Sequence, residues 1–592
     1  MTSPRIEAFA PQLRLVHTLA GGLGGCALWA LFEVVPDIAG DRVVFALAVF
    51  VTVLFVPFLL SAGAIAPFRA ALAAIALSAV VTALSLTASL RFATVSGFVE
   101  TGHPIVAIMF LTLLPVPFLI AGLGEERRWL DYAVLFDAAW AAAVRAMAAL
   151  AFLGAFWLFL FLSDALLALV EIELLDWLLD AGPTPFILSG AAVGLGLSAA
   201  GEMPEFVSPH LPLRLLRFLV LPAFAVIGLF VAMLPVRGLS GLFGTLSTAA
   251  VLLAMLAAVT SLVSAALDRD DAEAPEGRIL RGSVQALVIL MPVLAALAIY
   301  AIVERVGQHG WSPDRLAAMS LALVGGGYAA TYFIAVLLRR DWMRRIRLAN
   351  IAVAIGIIAL SAAWLSPLLN PQRLAVASQI GRYANGAVAA SELDLWVMRE
   401  NWGLAGKAGI ARLNEMAQAE GAGDPVLAEQ LAVLDKSQTR AEFENWGHSG
   451  DRAELVAELR TELVVYPPGS VVPDALFDQP QRSELQQWSA ACARRTVSGQ
   501  KGCSAVLADL LPDAPGSEIL VLLLESEAYV RVAAFHADGR VLGRYGPIWL
   551  TEDYSVTTSP DLIDQLARGA FSVSPSRLNV LRIGDSELIV LP

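Results

Sequence analysis

Arg339-Arg340-Asp341-Trp342-Met343-Arg344-Arg345-Ile346-Arg347 puts five arginines into nine residues, between two long apolar runs. The surrounding chain of 592 residues is 57% hydrophobic, 16% charged and has a mean hydropathy of +0.69. That composition lies far outside the soluble range, so the flanking runs read as membrane spans and the cluster as the loop that orients them. A basic cluster can also bind nucleic acid, but no second basic patch accompanies this one and the formal net charge is -13. Nucleic acid is therefore not expected as a partner, whereas membrane lipid is.

Working outward from the cluster, apolar runs long enough to cross a hydrocarbon core of about 30 Å can be counted. Eleven emerge: 13–35, 43–66, 68–90, 103–123, 144–170, 185–200, 215–235, 239–266, 282–303, 313–337 and 347–368. The sixth is short and Gly-rich, counted as a span with a re-entrant segment or half of a broken helix as the alternatives. Residues 1–369 are thus expected to be a transmembrane helical domain.

Residues 1–369 hold 21 arginines and no lysine. With the 338–347 loop in the cytoplasm, alternation puts sixteen of them on that side, among them Arg339, Arg340, Arg344, Arg345 and Arg347, and five on the other. This bias predicts a cytoplasmic N-terminus and an extracytoplasmic tail from about 370. No small-x-small cleavage site closes the first run, so it reads as an uncleaved span.

Gly21-Gly22-Leu23-Gly24-Gly25 lies inside an apolar run, not between a strand and a helix, so it reads as a helix-packing surface instead of a phosphate loop. Gly190, Gly194 and Gly325-Gly326-Gly327 read the same way. Pro57, Pro115, Pro117, Pro222 and Pro292 are expected to kink their spans. His17 and His103, in the first turns of spans one and four, read as hydrogen-bonded boundary residues. Acidic residues avoid the middles of the spans, which disfavours a transporter coupled through midplane carboxylates.

Two outer loops carry acidic candidates. Glu173, Asp176 and Asp180 share a helical face, read as the wet side of an interfacial helix with a divalent-cation site as the alternative. The first outer loop holds Asp37 and Asp41. Polytopic glycosyltransferases using lipid-linked donors resemble this outline, which implies Asp37 or Asp41 as general base or metal ligand; their first outer loop is much longer than the one here.

Glu304 to Arg315 ends span nine and begins span ten. Ser312 suits an N-cap, Pro313 the first helical position and Asp314 the helix dipole, leaving Arg315 at the membrane surface to pair with Glu304 or a lipid phosphate. Glu304, Gly310, Trp311, Ser312, Asp314 and Arg315 form the most recognisable motif. Together with Tyr328 to Phe333 and with Asn370-Pro371, Gln379, Arg382 and Asp394, it resembles a bacterial family of polytopic proteins known as a domain of unknown function, number forty-one fifty-three in its series. The resemblance implies an integral protein of the cell envelope and no established activity.

The tail splits by pattern. Residues 370–511 read as mainly helical, with cap signals at Ser391/Asp394, Asp424-Pro425, Thr439/Glu442 and Asp451/Glu454 and a further helix near 481–511. Residues 512–592 read as β-rich, with strands at 518–524, 529–536, 540–550, 577–583 and 587–591. The fold class is therefore a polytopic α-helical membrane domain of about eleven spans followed by a soluble α+β domain. Cys492 and Cys503 are candidates for a disulfide on the extracytoplasmic side, and no ligand set completes a zinc site. No cofactor is implied.

The function that fits is an inner-membrane protein anchoring an extracytoplasmic module for binding, sensing or assembly with an envelope protein. The alternatives are a membrane transferase using lipid-linked substrates and, behind it, a transporter.

Overall fold

The computed structural model describes residues 4–125, 127–170, 178–179, 182–202, 210–237, 248–271, 277–419, 423–440, 442–443, 449–478, 480, 482–510, 516–526, 529–536, 561–573, 580–583 and 586–589. Two compact units divide the chain, 1–415 and 416–592. Glu173, Asp176 and Asp180 lie outside the described residues, as does the expected strand 540–550.

In the first unit the helices are α1 (Pro4–Glu33), α2 (Asp41–Ser61), α3 (Pro67–Ser89), α4 (His103–Leu113), α5 (Pro115–Leu123), α6 (Tyr132–Ala168), α7 (Thr184–Glu202), α8 (His210–Arg237), α9 (Thr248–Leu267), α10 (Arg278–His309), α11 (Pro313–Leu337) and α12 (Trp342–Leu365). Among the described residues eleven stretches are long and apolar enough to cross a membrane, α4 and α5 together forming one of them. Pro115 divides that span, since a proline inside a helix cannot donate to the carbonyl four residues back. The fifth span differs from expectation at its start. Its helix begins at Tyr132, capped by Asp131, and runs 37 residues, about 55 Å at 1.5 Å per residue. The extra turns carry Asp137, whose carboxylate meets Arg269 at 3.1 Å.

The sixth stretch is a full helix, α7, packed antiparallel on α1. Three backbone contacts a turn apart fix this pair. A Cβ on Gly21 would stand 2.0 Å from the Gly190 carbonyl oxygen, one on Gly25 2.0 Å from that of Phe186, and one on Gly194 2.0 Å from that of His17. Only glycine permits that approach. The two Gly-rich segments are therefore partners of one another, and their close packing replaces the hydrophobic drive that lipid does not supply. Arg14 pairs with Glu202 at one end of the helix pair, and Trp29 lies against Gly182 at the other.

Ion pairs and caps gather at the Arg14–Glu202 end. Arg145 neighbours Gly201, Arg69 donates to the Leu123 carbonyl at 3.3 Å, and Arg217 pairs with Asp268. Arg347, 6% exposed, donates to the carbonyls of Leu267 at 2.7 Å and Asp268 at 3.1 Å and to the Asp271 carboxylate at 2.6 Å. It thus caps the C-terminus of α9, where carbonyls lack helical partners and a cation is favoured. Asn350, one turn along α12, donates to the Tyr132 hydroxyl at 3.0 Å and to Ser264 Oγ at 3.3 Å, and accepts from the buried Tyr332 hydroxyl. Four helices are tied there by one polar network.

The first unit continues past α12 through α13 (Pro371–Ala384), α14 (Leu395–Asn401) and most of α15 (Gly403–Ala417). Asn370 and Asp394 cap α13 and α14 by accepting from Arg373 and Val397 at 3.1 and 3.2 Å. Arg91, at the far end of α3, donates to the Ser366 carbonyl at 2.6 Å and accepts from the Leu404 amide at 2.8 Å.

The second unit contains α16 (Pro425–Lys436), α17 (Ser449–Glu462), α18 (Arg482–Cys492) and α19 (Asp561–Ala567), with strands β1 (Val464–Tyr466), β2 (Cys503–Ala508), β3 (Glu518–Ser526), β4 (Tyr529–Phe535), β5 (Val580–Ile583) and β6 (Ser586–Ile589). The sheet order is β1-β2-β3-β4, parallel only between β1 and β2, and β5 pairs with β6 separately. Alternation along β3 sends Ile519, Val521 and Leu523 to a core with Trp488 of α18, and Leu522 and Leu524 to the face covered by Ile563 and Leu566 of α19. The helix expected near 481–511 stops at Cys492, and residues 503–508 are a strand. Cys503-Ser-Ala-Val-Leu-Ala is an apolar run with too few turns to make a helix of its own, and it pairs with β3 along its whole length.

Candidate functional site

The hairpin from Glu304 to Arg315 is built around the end of α10. The last four carbonyls of any helix have no partner within it. Here those of Gly307, Gln308 and His309 lack one, and side chains from elsewhere meet all three and also Val306, whose carbonyl already accepts the Gly310 amide at 2.8 Å. Arg382 of α13 reaches Val306 at 3.4 Å, Gly307 at 2.8 Å and Gln308 at 2.9 Å. Gln379 Nε2 donates to His309 at 2.8 Å and to Trp311 at 3.2 Å. The Trp311 amide in turn donates to Ser378 Oγ at 3.1 Å. Gln379 and Arg382 sit on one face of α13 because they are three residues apart.

Gly310 holds the turn at φ +72°, where a side chain would be strained and its Cβ would meet Gln379 Nε2 at 2.7 Å and Arg382 Cδ at 2.8 Å. Ser312 accepts from the Arg315 amide at 3.3 Å and Pro313 opens α11, as their positions imply. Arg315 does not pair with Glu304. It folds back to the Gly310 carbonyl at 2.8 Å, because carbonyls at a helix C-terminus offer a cation a nearer and better oriented acceptor. The exposed Glu304 carboxylate has no protein partner among the described residues.

Beneath the hairpin, α4, α11 and α12 line a half-open pocket of about 140 Å³, with His103, Phe110, Ser320, Leu321, Ser361 and Trp364 among its walls. His103 departs from expectation. Both of its ring nitrogens are shielded and neither has a protein hydrogen-bond partner among the described residues. His17, by contrast, is bonded to the Leu13 carbonyl at 3.0 Å. The His103 ring lies 5.6 Å from that of Trp364. Sequence gave no sign of this pocket, because its walls come from three segments more than 200 residues apart in all.

Asp37 and Asp41 are exposed on either side of a short turn, Asp37 in the helical turn Val35–Ile38 and Asp41 opening α2. No other acidic or histidine side chain joins them in a metal-binding group among the described residues. Arg339, Arg340, Arg344 and Arg345 are exposed, unlike Arg347. In the second unit Cys492 and Cys503 form a disulfide with Cα atoms 4.7 Å apart, joining the end of α18 to the start of β2 within the core.

No protein-family model, curated protein or solved structure matches this chain.

Proposed function

We propose that this chain is a multi-pass protein of a bacterial inner membrane, with its N-terminus in the cytoplasm and the region after residue 370 outside. On this reading the second unit is a binding, sensing or assembly module for an envelope protein. The observation that carries the orientation is the Cys492–Cys503 disulfide, since such bonds persist in oxidising compartments and are rare in the cytosol. The arginine bias supports the same polarity from an independent source. The motif residues support a scaffolding role: Arg315, Gln379 and Arg382 are engaged in holding α10, α11 and α13 together. Resemblance to the bacterial family of unknown function adds the envelope setting and no activity.

The test is labelling of Cys492 and Cys503 in intact cells with an impermeant thiol reagent, before and after mild reduction, in a Cys26→Ala background. Labelling only after reduction is expected, and slowly, because both cysteines are buried. Labelling that requires opened cells would reverse the orientation. The transferase reading rests on Asp37 and Asp41, and loss of a cellular phenotype in Asp37→Asn or Asp41→Asn, with the fold intact, would revive it.

A further inference from the structure

We propose that the groove between α3 and α5 holds one acyl chain of a glycerophospholipid, with the lipid's phosphodiester bonded to Arg69 and Trp129 at its mouth. The inference rests on the multi-pass reading but not on its orientation, because it concerns whichever leaflet meets the Arg14–Glu202 end of the helices.

The extent of the groove identifies its occupant. It measures about 530 Å³, with Arg69, Leu72, Ala76 and Val80 on one face of α3 and Leu119 of α5 and Trp129 opposite. Arg69 is the third residue of α3 and Val80 the fourteenth of 23, so the groove runs from the end of the helix to its middle. That rise is about 16 Å at 1.5 Å per residue, close to half of a hydrocarbon core of about 30 Å. A helix of a second copy would need the full height. A lipid chain belongs to one leaflet and needs half.

The outer end of the groove carries the polar partners. Arg14, Arg217 and Arg347, at the same end of the unit, are each paired with a carboxylate. Arg69 is exposed and has no carboxylate partner among the described residues; one of its N–H groups donates to the Leu123 carbonyl at 3.3 Å. That bond holds the guanidinium at the mouth, and its other N–H groups have no protein partner among the described residues, which suits a phosphate oxygen. Trp129 supplies a second donor. A Cβ on Gly122 would stand 2.3 Å from Trp129 Cε2, so glycine lets the indole lie against the end of α5. The indole is 50% exposed and its N–H has no protein partner among the described residues, in the amphipathic setting that tryptophan favours beside headgroups. The loop after α5 carries charges of both signs, Glu125 and Asp131 against Arg127 and Arg128. The group selected is therefore the phosphodiester common to these lipids and not a head of net charge.

The experiment uses the purified full chain in non-ionic detergent with a trace of phosphatidylglycerol carrying a diazirine midway along one acyl chain, with labelled peptides mapped by mass spectrometry. Label is expected to concentrate in 72–80. Excess plain phosphatidylglycerol or phosphatidylethanolamine should compete it, and diacylglycerol with the same chains should compete far less. Arg69→Gln should lower the competed label about three- to tenfold, the worth of one exposed charge-assisted hydrogen bond, and Arg69→Lys should restore part of it. Ala76→Phe, which fills the groove from an exposed position and keeps Arg69, should lower the label as well. Three results would each overturn the proposal: label no higher in 72–80 than on other lipid-facing segments, as a second copy covering the groove would give; equal competition by diacylglycerol; or undiminished label in a folded Arg69→Gln protein. The wild-type competition stands even if a variant fails to fold. Failure of the multi-pass reading itself would show separately, as release of the chain from membranes by alkaline carbonate without detergent.

Discussion

Gly21→Ala tests the contact on which the α1–α7 pair depends. The added Cβ would lie 2.0 Å from the Gly190 carbonyl oxygen, and real Cβ contacts essentially never fall below 3.0 Å. Neither atom belongs to a side chain that can rotate away, so the helices must separate locally by about 1 Å. A gap of that size forfeits roughly a quarter to a half of each dispersion contact along the seam. Overpacking of this kind costs about 1–3 kcal/mol, and the rigidity of both backbones places Gly21→Ala at about 2–3 kcal/mol. The neighbouring Gly22 supplies the control. Its Cβ would meet Ile187 Cγ2 at 3.7 Å and Ala191 Cβ at 3.8 Å, which is ordinary contact. Gly22→Ala should therefore be neutral or mildly stabilising, since alanine is the better helix former. Equilibrium unfolding in mixed micelles, followed by helical circular dichroism, measures both. Gly190→Ala should resemble Gly21→Ala, and the double variant should cost less than the sum because both act on one contact. Equal stabilities for Gly21→Ala and Gly22→Ala would refute the backbone-on-backbone account.

Three further outcomes follow from the caps and charges. Arg382→Gln removes the donors to the Gly307 and Gln308 carbonyls and should cost about 2 kcal/mol, with faster amide exchange confined to the end of α10 and the hairpin. Arg347→Met should destabilise the first unit by at least about 2 kcal/mol by uncapping α9, whereas Arg344→Met, at an exposed position of the same cluster, should leave stability within about 0.5 kcal/mol. In the second unit, Lys501 hydrogen-bonds Glu462 at 2.9 Å and holds its carboxyl below the usual range. The sign follows from linkage: a depressed carboxyl contributes above its unfolded pKa, and the contribution is lost as pH falls through the folded value. Lys501→Gln should return Glu462 toward the ordinary carboxylate range, as read from its side-chain carbon shift in an NMR titration, and an unmoved titration would refute the pairing.

The hairpin shows how far local sequence reached and where it stopped. Ser312, Pro313 and Gly310 announce a helix end and a helix start, because capping is a matter of residues within one turn of each other. Nothing local shows that Arg382 and Gln379, some 70 residues further on, supply the donors for the end of α10. The same division holds for the arginine cluster. Its five charges mark the junction of α11 and α12, where Arg344, Arg345 and Arg347 prove to lie in the first turns of α12, but only the packed helices distinguish the buried Arg347 from its exposed neighbours.

By itself the sequence determined the number and placement of the apolar helices, since crossing length and hydropathy are properties of contiguous residues. It also marked the two Gly-rich segments as packing surfaces and the strands expected at 518–524 and 529–536, while β1 and β2 lie in the stretch it read as helical. Tertiary structure alone decided that Gly21 and Gly190 pack on one another, that Cys503 begins a strand, and that the His103 ring packs beside Trp364. The physical reason is common to all three. Each depends on contacts between segments distant in the chain, and no periodicity within a segment records which partner its buried face will meet.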